Sequence, residues 1–166
     1  IKVLAPQGIT QTIARDLYGN PLSITQSGLY GTEQDSLTKY LYYDIYHRLC
    51  RSTEPESGST VMHYDAANNL DWSATGLAIP GSACSQDQVA AGAKTARTYD
   101  AMNRVLTISP PTGTQGTIYT YDALGQLKTA VSGIAIQGYA YNFRGMLTSE
   151  VLWLPNNNNL AWGLGY

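Results

Sequence analysis

The residues best placed to do chemistry in this chain recur in one context: Asp16, Asp44, Asp65, Asp100, Asp122 and Asn142. Five of the six follow a tyrosine, and Asp16 follows Arg15. Repeated carboxylates invite two readings, paired acids for proton transfer or oxygen ligands for calcium. Each Asp stands without a second acidic residue close by, which makes poor calcium chemistry. Asp at the first position of a type I turn already has a sufficient structural task, because its side chain accepts from the backbone two residues on. His47 falls in a turn and His63 in a strand, with no spaced Cys or carboxylate to complete a metal site. The sequence has no Gly-x-Ser-x-Gly and no phosphate loop. The expectation is no catalytic residue, no metal and no cofactor, in a chain that is not an enzyme.

What must position these residues is a hairpin. Thr117 to Tyr121 is rich in Thr, Ile and Tyr, which suit a pleated surface. Asp122 opens a turn, Gly125 supplies the positive φ of a three-residue loop with a bulge, and Leu127 starts the return strand. The position that follows the motif Asp or Asn by three is Gly19, His47, Asn68, Asn103, Gly125 or Gly145. Gly, Asn and His are the residues that most readily adopt left-handed backbone. Two positions further, an apolar residue returns as Leu49, Leu70, Val105, Leu127 and Leu147, with Pro21 the exception. The structural turn residues expected are therefore Asp16 and Gly19, Asp44 and His47, Asp65 and Asn68, Asp100 and Asn103, Asp122 and Gly125, Asn142 and Gly145.

Composition agrees with many short strands. Charged residues make up 13% of the 166, while Gly (16) and Tyr (13) are abundant and Phe occurs once. A net charge of −2 gives no electrostatic reason to expect nucleic acid. No apolar run approaches the roughly 20 residues that span a bilayer. The chain starts without Met and shows no signal peptide, so it is expected to be a piece of something longer. Cys50 and Cys84 are too few for a disulfide scaffold or a zinc site. They can pair if the protein is secreted, but the flanking sequence does not bring them within reach, and two unpaired small residues are expected.

Residues 1–13 alternate apolar and polar and supply a strand into the first hairpin. Pro21 removes a backbone donor, which predicts weak pairing or an edge position for the strand it opens. Residues 26–37 form a polar connection, and 53–59 and 109–113 are turns. Successive motif positions are 28, 21, 35, 22 and 20 residues apart, a basic period with two insertions. The larger insertion, 73–98, is long for a compact domain, and such loops are often functional. Within it, 86–93 is expected to form a short helix. Residues 146–154 form an apolar strand, 156–159 a polar bend, and Tyr166 stands where a further repeat would begin. One hairpin cannot hold itself together, but stacked neighbours share a buried face. Tyr40 and Tyr42, Tyr119 and Tyr121, and Tyr139 and Tyr141 lie two apart, on one face of their strands.

The run of Tyr-Asp-x-x-Gly/Asn-x-Leu motifs resembles the YD-repeat, or RHS-repeat, proteins. These include bacterial polymorphic toxins, shell components of insecticidal toxin complexes, and the animal teneurins. The resemblance extends from about residue 14 to the end, with Asn142, Pro21, His47 and the insertion as departures. It implies an all-β fold of repeated antiparallel hairpins in a curved, spiralling sheet, a single array over 1–166. It further implies a shell segment enclosing a toxic C-terminal polypeptide in a secreted or delivered bacterial protein. The partners implied are neighbouring repeats and the enclosed toxin domain, with self-association through open sheet edges, no nucleic acid and no membrane span. Bacterial relatives cleave themselves after a signature segment, and nothing here looks like it. The rival is a surface adhesion or glycan-binding module, since rows of Tyr offer ring area and hydroxyls. Choline-binding repeats are also aromatic, yet Trp72, Trp153 and Trp162 fall outside the repeated core. A weaker third reading is an enzyme built from the insertion.

Overall fold

The structure is a computed structural model that describes residues 2–4, 9–30, 33–154 and 160–165. Its strands are β1 (Lys2–Leu4), β2 (Thr10–Arg15), β3 (Pro21–Tyr30), β4 (Glu33–Tyr43), β5 (Leu49–Glu54), β6 (Gly58–Tyr64), β7 (Leu70–Leu77), β8 (Thr95–Tyr99), β9 (Val105–Ser109), β10 (Thr117–Tyr121), β11 (Leu127–Ser132), β12 (Ala135–Tyr141), β13 (Leu147–Leu154) and β14 (Leu160–Gly165). They form one open all-β sheet in which every strand lies beside its neighbours in the chain. The only helices among the described residues are two 3-10 turns, Gln86–Gln88 and Ala91–Ala93. These two turns take the place of the single short helix expected over 86–93. The polar bend expected over 156–159 and the repeat start at Tyr166 lie outside the described residues.

Contacts divide the chain into two compact units, Ile1–His63 with Trp72–Ala93, and Tyr64–Asp71 with Lys94–Tyr166. In the first unit, β1 to β6 pair antiparallel in order. The polar connection expected over 26–37 is instead a strand pair, with Gln26 opposite Leu37 and the ladder running on to Tyr30 and Glu33. Ser, Thr and Gln suit a strand once the backbone is paired on both sides, and Thr25 Oγ1 meets Thr38 Oγ1 at 2.9 Å across this pair. Pro21 likewise opens an interior strand and not an edge. It stands at the first residue of β3, opposite Arg15 at a break in register, where a missing donor is tolerated.

The buried residues also lie in the first unit. Val61, Ala74 and Val89 form a small core, bordered by Trp72, Leu77 and Ile79. The irregular part of the insertion is shorter than 73–98, because β7 runs to Leu77 and β8 starts at Thr95. Residues 78–93 lie over the sheet and contribute Val89 to that core.

In the second unit, β8 to β14 pair antiparallel in order. None of its described residues is fully buried, so this part is a single layer. Backbone ladders and cross-strand pairs hold it, such as Thr98 Oγ1 with Thr107 Oγ1 at 2.7 Å and Thr120 Oγ1 with Thr129 Oγ1 at 2.6 Å.

Candidate functional site

The recurring structure of the chain is its corner. At each of the six motifs, the backbone N–H of the Asp or Asn donates to the carbonyl four residues on, at 2.9–3.0 Å. The residue three further on donates its N–H back to the motif carbonyl, at 2.9–3.2 Å. That residue is left-handed in all six: Gly19 (φ 90°), His47 (61°), Asn68 (66°), Asn103 (59°), Gly125 (84°) and Gly145 (78°). The register slips by one at Ala14/Arg15, Tyr42/Tyr43, Thr98/Tyr99, Thr120/Tyr121 and Ala140/Tyr141, which is the bulge this geometry produces.

The motif side chain fills the corner. Oδ1 of Asp16, Asp44, Asp65, Asp100 and Asp122 accepts from the N–H groups two and four residues on, at 2.8–3.0 Å. Asn142 Oδ1 does the same for Arg144 and Met146, at 2.9 and 3.1 Å. Only an acceptor oxygen is needed there, so an amide serves in place of a carboxylate. Oδ2 takes a further bond from the next side chain: Asn20 Nδ2 (2.9 Å), Arg48 Nε (2.7 Å), Asn69 Nδ2 (3.0 Å) or Arg104 Nε (2.7 Å). This residue, one past the left-handed slot, is a second functional position that the motif reading missed. Its signal was present as Asn20, Arg48, Asn69, Arg104 and Gln126, polar in five of six repeats.

These bonds set the electrostatics. Burial raises the Asp16 carboxyl, but bonds from the Asn20 side chain and from the Asn20 and Tyr18 N–H groups outweigh it and leave it below the usual range. At Asp44 burial is again the largest single influence, overcome by Arg48 through its N–H and guanidinium and by the Tyr46 N–H. At Asp100 the Arg104 N–H and side chain lead and hold the carboxyl low. The carboxylates of Asp16, Asp44 and Asp100 thus stay ionised by serving the backbone.

The structure brings neighbouring corners into contact within each unit. In the first, the Tyr18 ring meets the His47 ring at 4.2 Å between centroids, and a cleft of about 430 Å³ opens among Asp16, Tyr18, Tyr43, Asp44 and His47. In the second, Asn69 Nδ2 donates to Asn103 Oδ1 at 2.9 Å, and Gln126 Nε2 donates to the Gly145 carbonyl at 3.3 Å. The Arg104 guanidinium lies 4.5 Å from the Tyr121 ring centroid.

Tyrosine hydroxyls supply a second tie between repeats. Tyr43 donates to the Pro21 carbonyl at 3.0 Å, Tyr99 to Leu70 at 2.8 Å and Tyr121 to Val105 at 2.8 Å. Each acceptor is the residue at which the preceding corner hands over to its return strand. The other candidates have local partners: His63 stacks on Trp72 with 5.5 Å between centroids. Among the described residues, no group of three or more His, Cys, Asp or Glu is gathered closely enough to hold a metal. None of their helices is long and apolar enough to cross a membrane. Cys50 and Cys84, expected unpaired, form a disulfide with 5.3 Å between Cα atoms. Folding the 78–93 segment back over β5 closes a gap of 34 residues that the flanking sequence gave no means to judge.

A sheet of consecutive hairpins, turned at six Asp- or Asn-led corners and tied across repeats by three tyrosine hydroxyls, defines a β-hairpin repeat fold. Residues 99–134 match the RHS Repeat family model, and the fold is similar to that of solved toxin-complex structures. The chain superposes on a structure of the Photorhabdus luminescens Tc holotoxin pore with a TM-score of 0.76, at 17% identity, over 99% of its own length. A crystal structure of TcdB2-TccC3-Cdc42 aligns with a TM-score of 0.67, at 17% identity, over 87% of this chain. The chain spans only 9% and 8% of the length of those two chains. Comparison with curated proteins gives no match.

Proposed function

We propose that this chain is a structural segment, 1–166, of a longer array of RHS repeats forming the wall of a shell. The shell encloses a toxic C-terminal polypeptide of the same secreted or delivered bacterial protein, and the chain itself performs no reaction. One observation carries the reading: strands side by side in chain order, with the fold of a Tc holotoxin component over nearly the whole length. The mechanism is exclusion. Hydrogen-bonded strands leave no gap for a protease or solvent-borne partner, and corners and tyrosine ties hold the hairpins in line. The twelve corner residues, from Asp16 and Gly19 to Asn142 and Gly145, serve as structural and not catalytic groups in this reading.

The adhesion or glycan-binding alternative finds less support. Tyr43, Tyr99 and Tyr121 commit their hydroxyl protons to backbone carbonyls, which leaves those groups without a proton to donate to a sugar. The partners are accordingly the flanking repeats and the enclosed polypeptide.

The test is limited proteolysis of the full-length parent polypeptide. The expected result is one internal polypeptide that resists protease in native buffer and is cut once the wall is opened by mild denaturant. A parent digested uniformly from the start, or one lacking further repeats on both sides of this segment, would sink the proposal.

A further inference from the structure

Residues 78–93 form a strap over the face of the first unit, and one covalent bond fastens it, Cys50 to Cys84. Its other anchors are few. Gln86 Nε2 donates to the Met62 carbonyl at 2.7 Å, and Val89 packs on Val61 and Ala74. The third anchor is Arg51, which donates to the carbonyls of Pro80 (3.5 Å) and Gly81 and to the Ser85 hydroxyl (3.3 Å).

Arg51 makes this closure unusual. It is 1% exposed, its hydrogen-bond partners are all neutral, and its Nε has no partner. The Tyr42 ring, 4.3 Å from the guanidinium carbon, gives partial compensation. A buried cation without a carboxylate is costly to keep from water. The strap therefore covers a group that gains by being uncovered.

We propose that the Cys50–Cys84 bond is a redox latch on this strap, opened by a dithiol reductant. Cys50 is fully buried, whereas Cys84 is part-exposed beside exposed Gly81, Ser82 and Ala83, so attack falls on Cys84. A thiolate of the reductant bonds to Cys84 Sγ, the disulfide breaks, and Cys50 leaves as thiolate. The second thiolate of the reductant then displaces Cys84, and the two thiol protons pass to Cys50 and Cys84 as the reductant closes its own disulfide. The Tyr42 carbonyl oxygen, 3.2 Å from Cys50 Sγ, is in place to accept from the new S–H. With the bond gone, residues 78–93 lift, water reaches Arg51, and the Val61–Ala74 face is uncovered. The strap is closed in an oxidising compartment and open in a reducing one.

Hydrogen exchange on the full chain, oxidised and after millimolar dithiothreitol in native buffer, tests this. The expected result is exchange at 82–90 faster by roughly tenfold or more after reduction, with β10 and β11 unchanged. Reoxidation restores protection, and Cys84→Ser shows the open pattern without reductant. Three results would overturn the proposal: unchanged protection at 82–90 after reduction, loss of protection across β5 to β7 together with the strap, or a disulfide that native-state dithiol does not reduce.

Discussion

At the scale of the residue, the chain depends on one acceptor oxygen per corner. Asp44 Oδ1 holds two backbone N–H groups while Oδ2 holds Arg48. Asp44→Ala leaves those donors to water and should lower stability by about 1–2 kcal/mol, the range for losing a capping side chain. Asp44→Asn keeps the Oδ1 acceptor, as Asn142 does naturally, and should cost less than half as much in denaturant titration. Equal losses would mean that charge and not hydrogen bonding holds the corner. The pH dependence follows from the same bonds. Asp16, Asp44 and Asp100 have folded values below the ordinary 3.8, so the unfolded chain takes up protons first as pH falls. Their contribution is complete above the ordinary value and is lost as pH drops through the folded values. The melting temperature should be level from neutrality to about pH 5 and fall below about pH 4. Asp44→Asn should flatten that fall.

At the scale of the element, hairpins were legible because the corner writes itself into local sequence. Tyr121-Asp122 to Gly125 and its counterparts carry acceptor, left-handed slot and return residue within seven positions. Even His47 and Asn103, which lack the freedom of glycine, stand at φ 61° and 59°. What lay beyond reach was anything whose partner is distant in the chain. The bond between Cys50 and Cys84, the Arg51 anchor to residues 80–85, and the tyrosine ties span intervals that no periodicity reports. The strands over 26–37 were missed for a different reason: their few apolar residues, such as Leu29 and Leu37, are isolated among polar ones, so no apolar alternation marked them. The tyrosine ties make a separable prediction. Tyr121→Phe keeps the ring under Arg104 but removes the donor to Val105, and should cost about 0.5–1.5 kcal/mol. Faster amide exchange confined to β9 and β10 would locate the loss, whereas no change in melting would show the hydroxyl to be idle.

At the scale of the molecule, β1 and β14 each have a strand on one side only. Unpaired strand edges recruit other strands. The chain on its own should therefore self-associate, its light-scattering mass rising with concentration. Charging the β1 edge with Val3→Lys, at a residue already exposed, should reduce that rise. A mass independent of concentration would remove open edges as a source of association.

Pairing between chain neighbours also bears on how such a protein is made. Because each ribbon docks on the one just synthesised, the sheet can lengthen while its C-terminal portion is still in the ribosome. No strand pairing waits for a distant segment, whereas Cys50 waits through 34 residues for its mate. On the latch proposed above, the strap closes over the first unit only after residue 84 has emerged and the bond has formed.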